Sequence, residues 1–305
     1  MILIITHKED FTADFVIEKL NTLGIHYFRF NCEDINLYNY SFENNNEFNF
    51  TIDGKSNFHS VWFRRTKLPE VNLSTEAENL FILGDYETLF SNIFRLIKTK
   101  KWLSNPVHVF DAENKILQLK NAKSIGLNIP DTIIVNNHLA LKEFAKKHSQ
   151  LIIKPIRQGR LKEVDGYKTI FTNKLKEEII SNIENYDLTP SIIQEYINKR
   201  YEIRVTIIGE KIFAARVNSQ SNTATTIDWR KEKLPFEKYI LPEDLETKCI
   251  ELVKKMNLSF GAIDLIRDIN GEYIFLEINP NGQWAWLEME TGLEISEAII
   301  NFLTN

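Results

Sequence analysis

A single hairpin signal constrains the fold of this chain more than any other feature of its sequence. The stretch Phe260–Pro280 reads FGAIDLIRDINGEYIFLEINP, in which two runs of alternating residues flank Asn270 and Gly271. Asn-Gly between such runs is typical of a two-residue type I′ turn. With this turn Ile269 pairs with Glu272, and the register of the whole antiparallel pair follows.

This register brings acidic residues together across the two strands. It places Asp264 directly opposite Glu277, and Asn279, two residues further along, shares the face of Glu277. Facing carboxylates destabilise a hairpin unless a cation lies between them, and two carboxylates with an amide oxygen suit Mg²⁺. We therefore predict a magnesium site at these three residues; the alternative is a solvated outer face. The same alternation assigns Ile263, Leu265, Ile274, Leu276 and Ile278 to the core, and Tyr273 and Phe275 to the acidic face.

Glycine is scarce, and this excludes the common glycine-rich nucleotide cradles. Only 11 of the 305 residues are glycine, no two of them form a G-x-G pair, and there is no G-x-x-x-x-G-K-[ST]. The Rossmann fingerprint and the P-loop are therefore both absent. If the chain handles a nucleotide, other groups must hold the phosphates.

Net charge, apolar run length and cysteine spacing argue against several kinds of partner and site. The formal net charge is −5 and the pI is about 5.8, which argues against nucleic acid or an anionic membrane as a partner. No stretch approaches the ~18 apolar residues of a membrane span. Cys32 and Cys249 have no metal-binding or redox spacing, so we expect two reduced thiols in a cytoplasmic protein.

The first hundred residues alternate between strand and helix patterns, which predicts an α/β domain with a parallel sheet. The predicted strands are Met1–Thr6, Ile25–Phe30 and Val61–Arg65, and the predicted helices are Phe11–Leu23 and Glu76–Lys100. The Asn- and Phe-rich stretch Asn39–Phe58 is predicted to form a hairpin, with Asp53-Gly54 as its turn signal.

The rest of the chain combines short strands with helices. A crossover at Trp102–Pro106 precedes a helix that Asp111 can cap and that runs to Ser124. The later predicted strands are Thr132–Val135, Gln150–Lys154, Thr169–Phe171 and Ser191–Tyr196, and the later helices are Ala140–His148, Leu175–Ile183 and Leu245–Met256.

Two lysines lie at positions where a bound phosphate would stabilise their positive charge. Lys154 ends an apolar strand immediately before Pro155, so its ammonium can project into a cleft as a point charge. Lys115 lies in the first turn of its helix, where the helix dipole disfavours a cation unless an anion is close. A solvated strand end and an isolated first-turn lysine are the respective alternatives.

The second hairpin, Glu202–Ile208 with Lys211–Val217, carries two arginines. Arg204 shares a face with Glu202, whereas the register places Arg216 on the opposite face. Both arginines could reach one phosphate only if a bulge intervened.

A further arginine pair ends a strand of the first domain. Arg64 and Arg65 are neighbours, so one of them points inward. They could pair bidentately with substrate carboxylates or be surface charges.

In their order along the chain, these segments resemble the motifs of the ATP-grasp superfamily. NKILQLKNAKSIGLNIPDT resembles its first lysine helix, LIIKP its second lysine strand, IIQEYI its interdomain hinge, and KRYEIRV the strand with an acid and an arginine. The hairpin acids with Asn279 match its D…E-x-N metal set.

The resemblance covers about residues 105–305 and implies an α/β (α+β) ATP-grasp fold. The implied domains are a pre-ATP-grasp α/β domain at 1–105, a central subdomain at 106–190, and a C-terminal subdomain with the metal hairpin at 191–305.

This resemblance implies ATP and Mg²⁺ as cofactors and gives each motif residue a role. Lys115 and Lys154 would hold phosphates, Gln194, Glu195, Tyr196 and Ile197 would meet adenine, Glu202 would bind ribose, and Asp264, Glu277 and Asn279 would hold Mg²⁺. Arg204, and Arg216 if the register allows, would neutralise the transferred phosphoryl group.

Within the superfamily the chain is most similar to the graspetide (microviridin-type) synthetases. The segments that carry this likeness are MILIITHKED, VWFRR, NKILQLKNAKSIGLNIPDT and TTIDWRKEKLPFEKY. The loop after the second lysine, IRQGRLKEVDGYK, is charged and holds only Gly159 and Gly166, which agrees with this branch. The likeness implies a precursor peptide (leader plus core) as substrate and a homodimer. It implies Arg230 as a further catalytic residue, and Arg64, Arg65, Asp228 and Trp229 as peptide-binding residues.

The functional hypothesis is ATP-dependent macrocyclisation of a ribosomal peptide. An Asp or Glu side chain would be activated as an acylphosphate and attacked by Ser/Thr or Lys, which gives an ω-ester or ω-amide. One alternative is a RimK-like ligase that adds an amino acid to a small molecule or a protein carboxylate. A non-catalytic nucleotide-binding scaffold is a third possibility.

Overall fold

The computed structural model describes residues 1–44, 48–157, 160–163, 166–186 and 188–305. Its first part contains β1 (Ile2–Thr6), α1 (Phe11–Thr22), β2 (Tyr27–Asn31), β3 (Tyr40–Asn44), β4 (Phe48–Ile52), β5 (Asn57–Phe63), α2 (Glu76–Leu96) and β6 (Lys98–Leu103). A parallel sheet of order β2-β1-β5-β6 forms the centre of this part. This confirms the predicted α/β domain, because parallel strands with helical crossovers bury apolar runs such as Ile2–Ile5.

Helix α2 is shorter than predicted. It starts at a capping box between Thr75 and Glu78 and ends at Leu96, where Ile97 becomes extended. Lys98–Leu103, predicted as the end of the helix and a crossover, instead forms the strand that pairs with β5. The prediction was wrong because the open edge of β5 offers this segment a ladder of hydrogen bonds.

The predicted hairpin excursion is confirmed, with a different turn. Strand β3 pairs with β4 in an antiparallel ladder. Asp53 and Gly54, both at positive φ, connect β4 to β5 and are not the turn of that hairpin.

The middle of the chain contains α3 (Pro106–Ala112), α4 (Lys115–Ser124), β7 (Thr132–Ile133), α5 (His138–Ala145), β8 (Leu151–Pro155), β9 (Arg160–Glu163), β10 (Gly166–Thr169), β11 (Asn173–Leu175), α6 (Glu177–Ser181) and β12 (Ser191–Glu195). Four of these strands form a sheet of order β11-β8-β12-β7, and β9 pairs with β10. Asp111 does not cap α4, contrary to the prediction. Asn114 does, since its side chain accepts from Ile116 N–H and Leu117 N–H. Gly159 lies outside the described residues.

The last part contains β13 (Lys199–Ile208), β14 (Lys211–Val217), β15 (Phe236–Tyr239), α7 (Glu243–Lys255), β16 (Phe260–Asp268), β17 (Tyr273–Asn279), α8 (Ala285–Thr291) and α9 (Ile295–Thr304). Its antiparallel sheet has the order β15-β14-β13-β16-β17. Helix α7 covers one face of this sheet with the predicted side chains Leu245, Cys249, Leu252, Val253 and Met256. Strand β12 belongs to the middle sheet, so we propose residues 196–198, and not 190/191, as the boundary between the central and C-terminal subdomains.

Two predictions about the class of protein concern its cysteines and its helices. Cys32 and Cys249 are both buried and free. Among the described helices, none combines the length and the apolar character that crossing a membrane requires.

Candidate functional site

The loop of the acidic hairpin differs from the predicted two-residue turn. Asp268 N–H donates to Glu272 O at 2.9 Å, which leaves three residues, 269–271, in the loop. The Asp268 carboxylate accepts from Glu272 N–H at 2.6 Å, and Gly271 adopts φ +91°. The side chain of Asp268 therefore stabilises a longer turn than Asn-Gly alone would form.

A β-bulge nevertheless restores the predicted pairing of the two acids. Leu265 pairs with Phe275, but Asp264 pairs with Glu277, so Leu276 is the extra residue. The added loop residue shifts the register of the two strands by one residue, and the bulge shifts it back. The predicted juxtaposition of Asp264 and Glu277 is confirmed, although the predicted turn was wrong.

The bulge also corrects the predicted faces of strand β17. Phe275 is fully buried in the core and Tyr273 packs against the same core, whereas both were predicted on the acidic face. Leu276, predicted in the core, lines the cavity beside the acids. An extra residue reverses the alternation of side chains, so the prediction fails on the loop side of the bulge.

Cations surround the two acids. Arg204 Nη1 lies 2.8 Å from both carboxylate oxygens of Asp264. Lys115 Nζ and Arg230 Nη1 lie 3.6 Å and 3.9 Å from the carboxylate of Glu277. Asn279 Nδ2 contacts Asp264 at 3.3 Å. The structure thus brings all three predicted metal ligands together with three of the predicted cations.

The two acids differ in their electrostatic surroundings. Burial raises the pKa of Asp264, and the Arg204 guanidinium offsets this only in part, while the charge of Glu277 adds to it. Burial also acts to raise the pKa of Glu277, but Lys115, Lys154 and Arg230 outweigh it and hold the pKa of Glu277 below its usual value. A cation bound between the two carboxylates would favour the charged form of both.

A cavity of about 340 Å³ is lined by both acids, Asn279 and three of the cations, Lys115, Lys154 and Arg230. Its lining also includes Arg65, Glu202, Asp228 and Trp229. A cavity of this size with convergent polar groups is typical of a small-molecule site. Three-membered clusters of His, Cys, Asp or Glu suited to a metal do not occur among the described residues. The donor set here is two carboxylates and one amide, which fits Mg²⁺, because Mg²⁺ completes its shell with phosphate and water.

Lys154 faces this cavity, as predicted, but strand β8 extends one residue beyond it, because Pro155 still pairs with Ser191. Burial lowers the pKa of Lys154 to about 8, with Glu277 opposing this and the charges of Lys115 and Arg230 adding to it. An anion in the cavity would favour the protonated form. Lys154 is therefore suited to bind a phosphate below its pKa.

This lowered pKa gives a testable pH dependence of nucleotide binding. Below pH about 8 Lys154 is already protonated, so ATP affinity in magnesium-free buffer should be constant. Above that pH the free protein loses the proton and binding must restore it, so affinity should fall about tenfold per pH unit. Calorimetry in buffers of different ionisation enthalpy should then detect proton uptake. Lys154→Met should remove the uptake, whereas an affinity unchanged with pH in the native protein would contradict the prediction.

A residue that the sequence analysis missed holds the Lys115 helix against the acidic hairpin. Gln118 is buried in α4, and its amide donates to Ile278 O at 2.9 Å and accepts from Ile278 N–H at 3.0 Å. These bonds fix Lys115, three residues earlier, beside Glu277. A glutamine in mid-helix gives no sequence signal that distinguishes it from a surface residue.

The predicted adenine-binding segment, residues 194–197, lines a small cavity next to Lys154. Glu195 N–H and Tyr196 N–H are engaged by Asp131 O and Gln150 O at 3.0 Å and 2.9 Å. In the described part of the chain, Ile197 N–H has no backbone partner. Gln194 is buried, and its Nε2 donates to Thr132 Oγ1. Ile197 is therefore the donor in this segment that a base could use.

Glu202 is held by a lysine that the sequence analysis also missed. Lys199 Nζ donates to Glu202 Oε1 at 2.7 Å and to Ile227 O at 3.0 Å, and both side chains are buried. Burial raises the pKa of Glu202 although Lys199 opposes the rise. Glu202 still lines the central cavity, where the ribose role predicted for it is possible.

The segment with Asp228, Trp229 and Arg230 reaches the same cavity. Asp228 is buried and binds Arg230 through Nε at 2.8 Å and Nη2 at 2.7 Å, which orients Arg230 toward Glu277. Trp229 packs against Phe236 and Trp286. Asp228 therefore positions Arg230, and Trp229 closes the wall of the cavity.

Arg216 does not reach the site. It pairs with Ile203, with no bulge between β13 and β14, so it lies on the opposite face from Arg204. Its guanidinium donates to Glu237 at 2.7 Å and lies over the ring of Tyr201. The catalytic role predicted for Arg216 is corrected accordingly, because the regular ladder keeps the two arginines on different faces.

Of the arginine pair in the first domain, Arg64 points inward and Arg65 lines the central cavity. Arg64 is 1% exposed, and its Nε lies 3.3 Å from Asp10, itself fully buried. Asn281, two residues after Asn279, donates to Arg64 O at 2.9 Å. Arg64 therefore joins the first domain to the end of the acidic hairpin, and its contact with peptide stays a prediction.

Two family models match consecutive parts of this chain. Residues 112–303 match the model of the RimK-like ATP-grasp domain, and residues 1–109 match that of the MvdD pre-ATP-grasp domain. Among curated proteins, the glutamate–LysW ligase ArgX of Sulfolobus acidocaldarius is 28% identical over 201 residues, 63% of this chain and 68% of that protein.

Two solved structures resemble the chain from end to end. One is a RiPP-associated ATP-grasp ligase of Chryseobacterium gregarium in complex with ADP and a leader and core peptide. It has a TM-score of 0.88 and 27% identity, over 99% of this chain and 96% of that one. The other is the macrocyclase MdnC of Microcystis aeruginosa bound with the precursor peptide MdnA. It has a TM-score of 0.87 and 29% identity, over 100% and 99% of the two chains.

Proposed function

The chain belongs to the RimK-like ATP-grasp family, and from this premise we propose that it is an ATP-dependent ligase that closes side-chain rings in a ribosomally made precursor peptide. The observation that carries the proposal is the likeness to two peptide-bound RiPP enzymes over the full chain, first domain included. The bond formed is an ω-ester or ω-amide between Asp or Glu and Ser, Thr or Lys.

The residues of the central cavity suit phosphoryl transfer from ATP to a carboxylate. Lys115 and Lys154 would bind the phosphates, and Arg204 with Arg230 would neutralise the phosphoryl group as it moves. Asp264, Glu277 and Asn279 would hold Mg²⁺, which when bound offsets the charge of the phosphates. Because a carboxylate is a poor electrophile, this transfer makes it reactive toward a hydroxyl or amine of the same peptide.

The nucleotide would lie between the middle and last sheets. We propose that Ile197 N–H and the backbone of Glu195 and Tyr196 meet the adenine, with Gln194 supporting them from the strand. Glu202 would bind the ribose. Arg65 and Trp229 would contact the peptide, and Asp228 would hold Arg230 in place.

A RimK-like ligase that joins a free amino acid to a carboxylate is the second candidate. The likeness to ArgX, a glutamate–LysW ligase, favours it, but that likeness covers 63% of the chain. The likeness to the peptide-bound enzymes extends through the first domain, which favours the peptide substrate.

Mass spectrometry of the product tests the proposed function. We expect the native protein, ATP, Mg²⁺ and the precursor peptide encoded beside its gene to give a peptide lighter by one water per ring, together with ADP. ADP release that free amino acids stimulate and the peptide does not would favour the second candidate instead.

We also propose that the protein is a cytoplasmic homodimer. The free cysteines Cys32 and Cys249 are consistent with a reducing compartment. Leu80 and Phe81 on α2 are 63% and 68% exposed, which is unusual for neighbouring large apolar residues.

Light scattering tests the dimer. The double substitution L80E/F81E should halve the molar mass, because charges on an apolar interface are desolvated at a cost. Leu139→Glu, at a residue 73% exposed on α5, is the matched control and should leave the mass unchanged. A native protein with the mass of one chain would contradict the proposal.

A further inference from the structure

A second cavity of about 300 Å³ adjoins the central one. Arg65 and Asn279 line both cavities. The second cavity is lined by residues at the end of β5, at and just after the end of α3, and in the loop after β17. A group of the peptide placed here would be next to the reacting carboxylate.

Glu113 supplies the single carboxylate among the described residues that line this second cavity. The other side chains there are cationic, amide, hydroxyl or apolar. Glu113 directly precedes Asn114, the cap of the Lys115 helix, so its backbone position is fixed by the same turn that places Lys115.

The Glu113 carboxylate also differs from the acids of the central cavity in having no ion-pair partner. Glu202, Asp228 and Asp264 are each bound by a lysine or arginine within 2.8 Å. Within the described part of the chain, no cation lies within 4 Å of the Glu113 carboxylate. Desolvation raises the pKa of Glu113 although Arg157 and Arg65 oppose the rise, and the side chain is exposed at the wall of the cavity. Glu113 is thus a carboxylate within reach of a group bound in the second cavity.

Resting on the proposed function, we propose that Glu113 is the catalytic base of ring closure. The hydroxyl oxygen or amine nitrogen of the peptide forms the new bond to the acyl carbon as its proton passes to the Glu113 carboxylate. The bond from the acyl carbon to the phosphate oxygen breaks, and inorganic phosphate leaves. The proton then passes from Glu113 to solvent, and no other co-reactant is needed.

Trapping with hydroxylamine measures the activation of the carboxylate independently of ring closure. It is a neutral nucleophile near neutral pH and traps an acylphosphate as a hydroxamate without a base. With ATP and the precursor peptide, Glu113→Gln should form hydroxamate at the native rate but rings at least about 100-fold more slowly. The matched control is Asp111→Asn, an acid two residues earlier that is also exposed but lines neither cavity, and this variant should form both products at native rates.

Two other outcomes would overturn the role of Glu113 as the catalytic base. Native ring formation by Glu113→Gln would overturn it. A parallel loss of hydroxamate and rings would assign Glu113 to activation or to folding and would also overturn it. If the native protein itself yields neither product, the proposed function fails, and that result is separate from any effect of Glu113.

Discussion

Replacing Asp264 by Asn is expected to lower ring formation by roughly 1,000-fold or more. Asp264 faces Glu277 and binds Arg204 at 2.8 Å through both oxygens. Its loss removes a metal ligand and leaves a buried guanidinium unpaired. Stabilisation by a bound metal is worth several kcal/mol, and 1.4 kcal/mol corresponds to about a tenfold change in rate.

The measurement is the rate of ADP and ring formation at saturating peptide. Asp264→Asn should still bind the precursor peptide, and Glu277→Gln should show a similar loss of rate with Arg204 still paired to Asp264. Glu237→Gln, an exposed acid in the same sheet, is the matched control and should retain native activity. Turnover within about tenfold of native in both site variants would refute the assignment of the acid pair.

Replacing Arg64 by Ala is expected to destabilise the protein by about 3–5 kcal/mol, because it leaves a buried carboxylate without its cation. Asp10 is fully buried, and Arg64 and Thr6 lower its pKa against the effect of burial. Arg64 also lies over the ring of Trp62 and bonds to Gln283, so it contacts both the first and the last part of the chain.

Urea unfolding measures this effect. Arg65→Ala is the matched control, because an exposed charged side chain and its partners remain hydrated, so its removal should lower the free energy of unfolding by at most about 1 kcal/mol. The double variant R64M/D10N should recover part of the lost stability, since no charge is left buried. Native stability of Arg64→Ala with weakened peptide binding would support the peptide-contacting role predicted from sequence.

The sequence predicted which residues meet at the site better than the details of the backbone that holds them. The pairing of Asp264 with Glu277 and the positions of Lys115 and Lys154 followed from alternation and from strand and helix ends. Those signals are local, and the structure retains them.

What sequence could not predict depends on contacts between distant segments. Gln118 and Lys199 act through partners on other elements, and their own neighbours in sequence give no sign of it. The strand at Lys98–Leu103 forms because β5 has an open edge. Which of Arg64 and Arg65 points inward is decided by Asp10, more than fifty residues away.

Because of the bulge at Leu276, the positions of β17 that tolerate substitution are expected to alternate in one pattern before residue 276 and in the opposite pattern after it. Between the bulge and the loop, Leu265 and Phe275 face the core; beyond it, Ile263 and Ile278 do. A scan of all substitutions along β17 should therefore show an alternation of sensitive and tolerant positions that slips by one residue at 276. A deletion of one loop residue would preserve the site only if the bulge were lost with it, so the two are expected to change together among related chains.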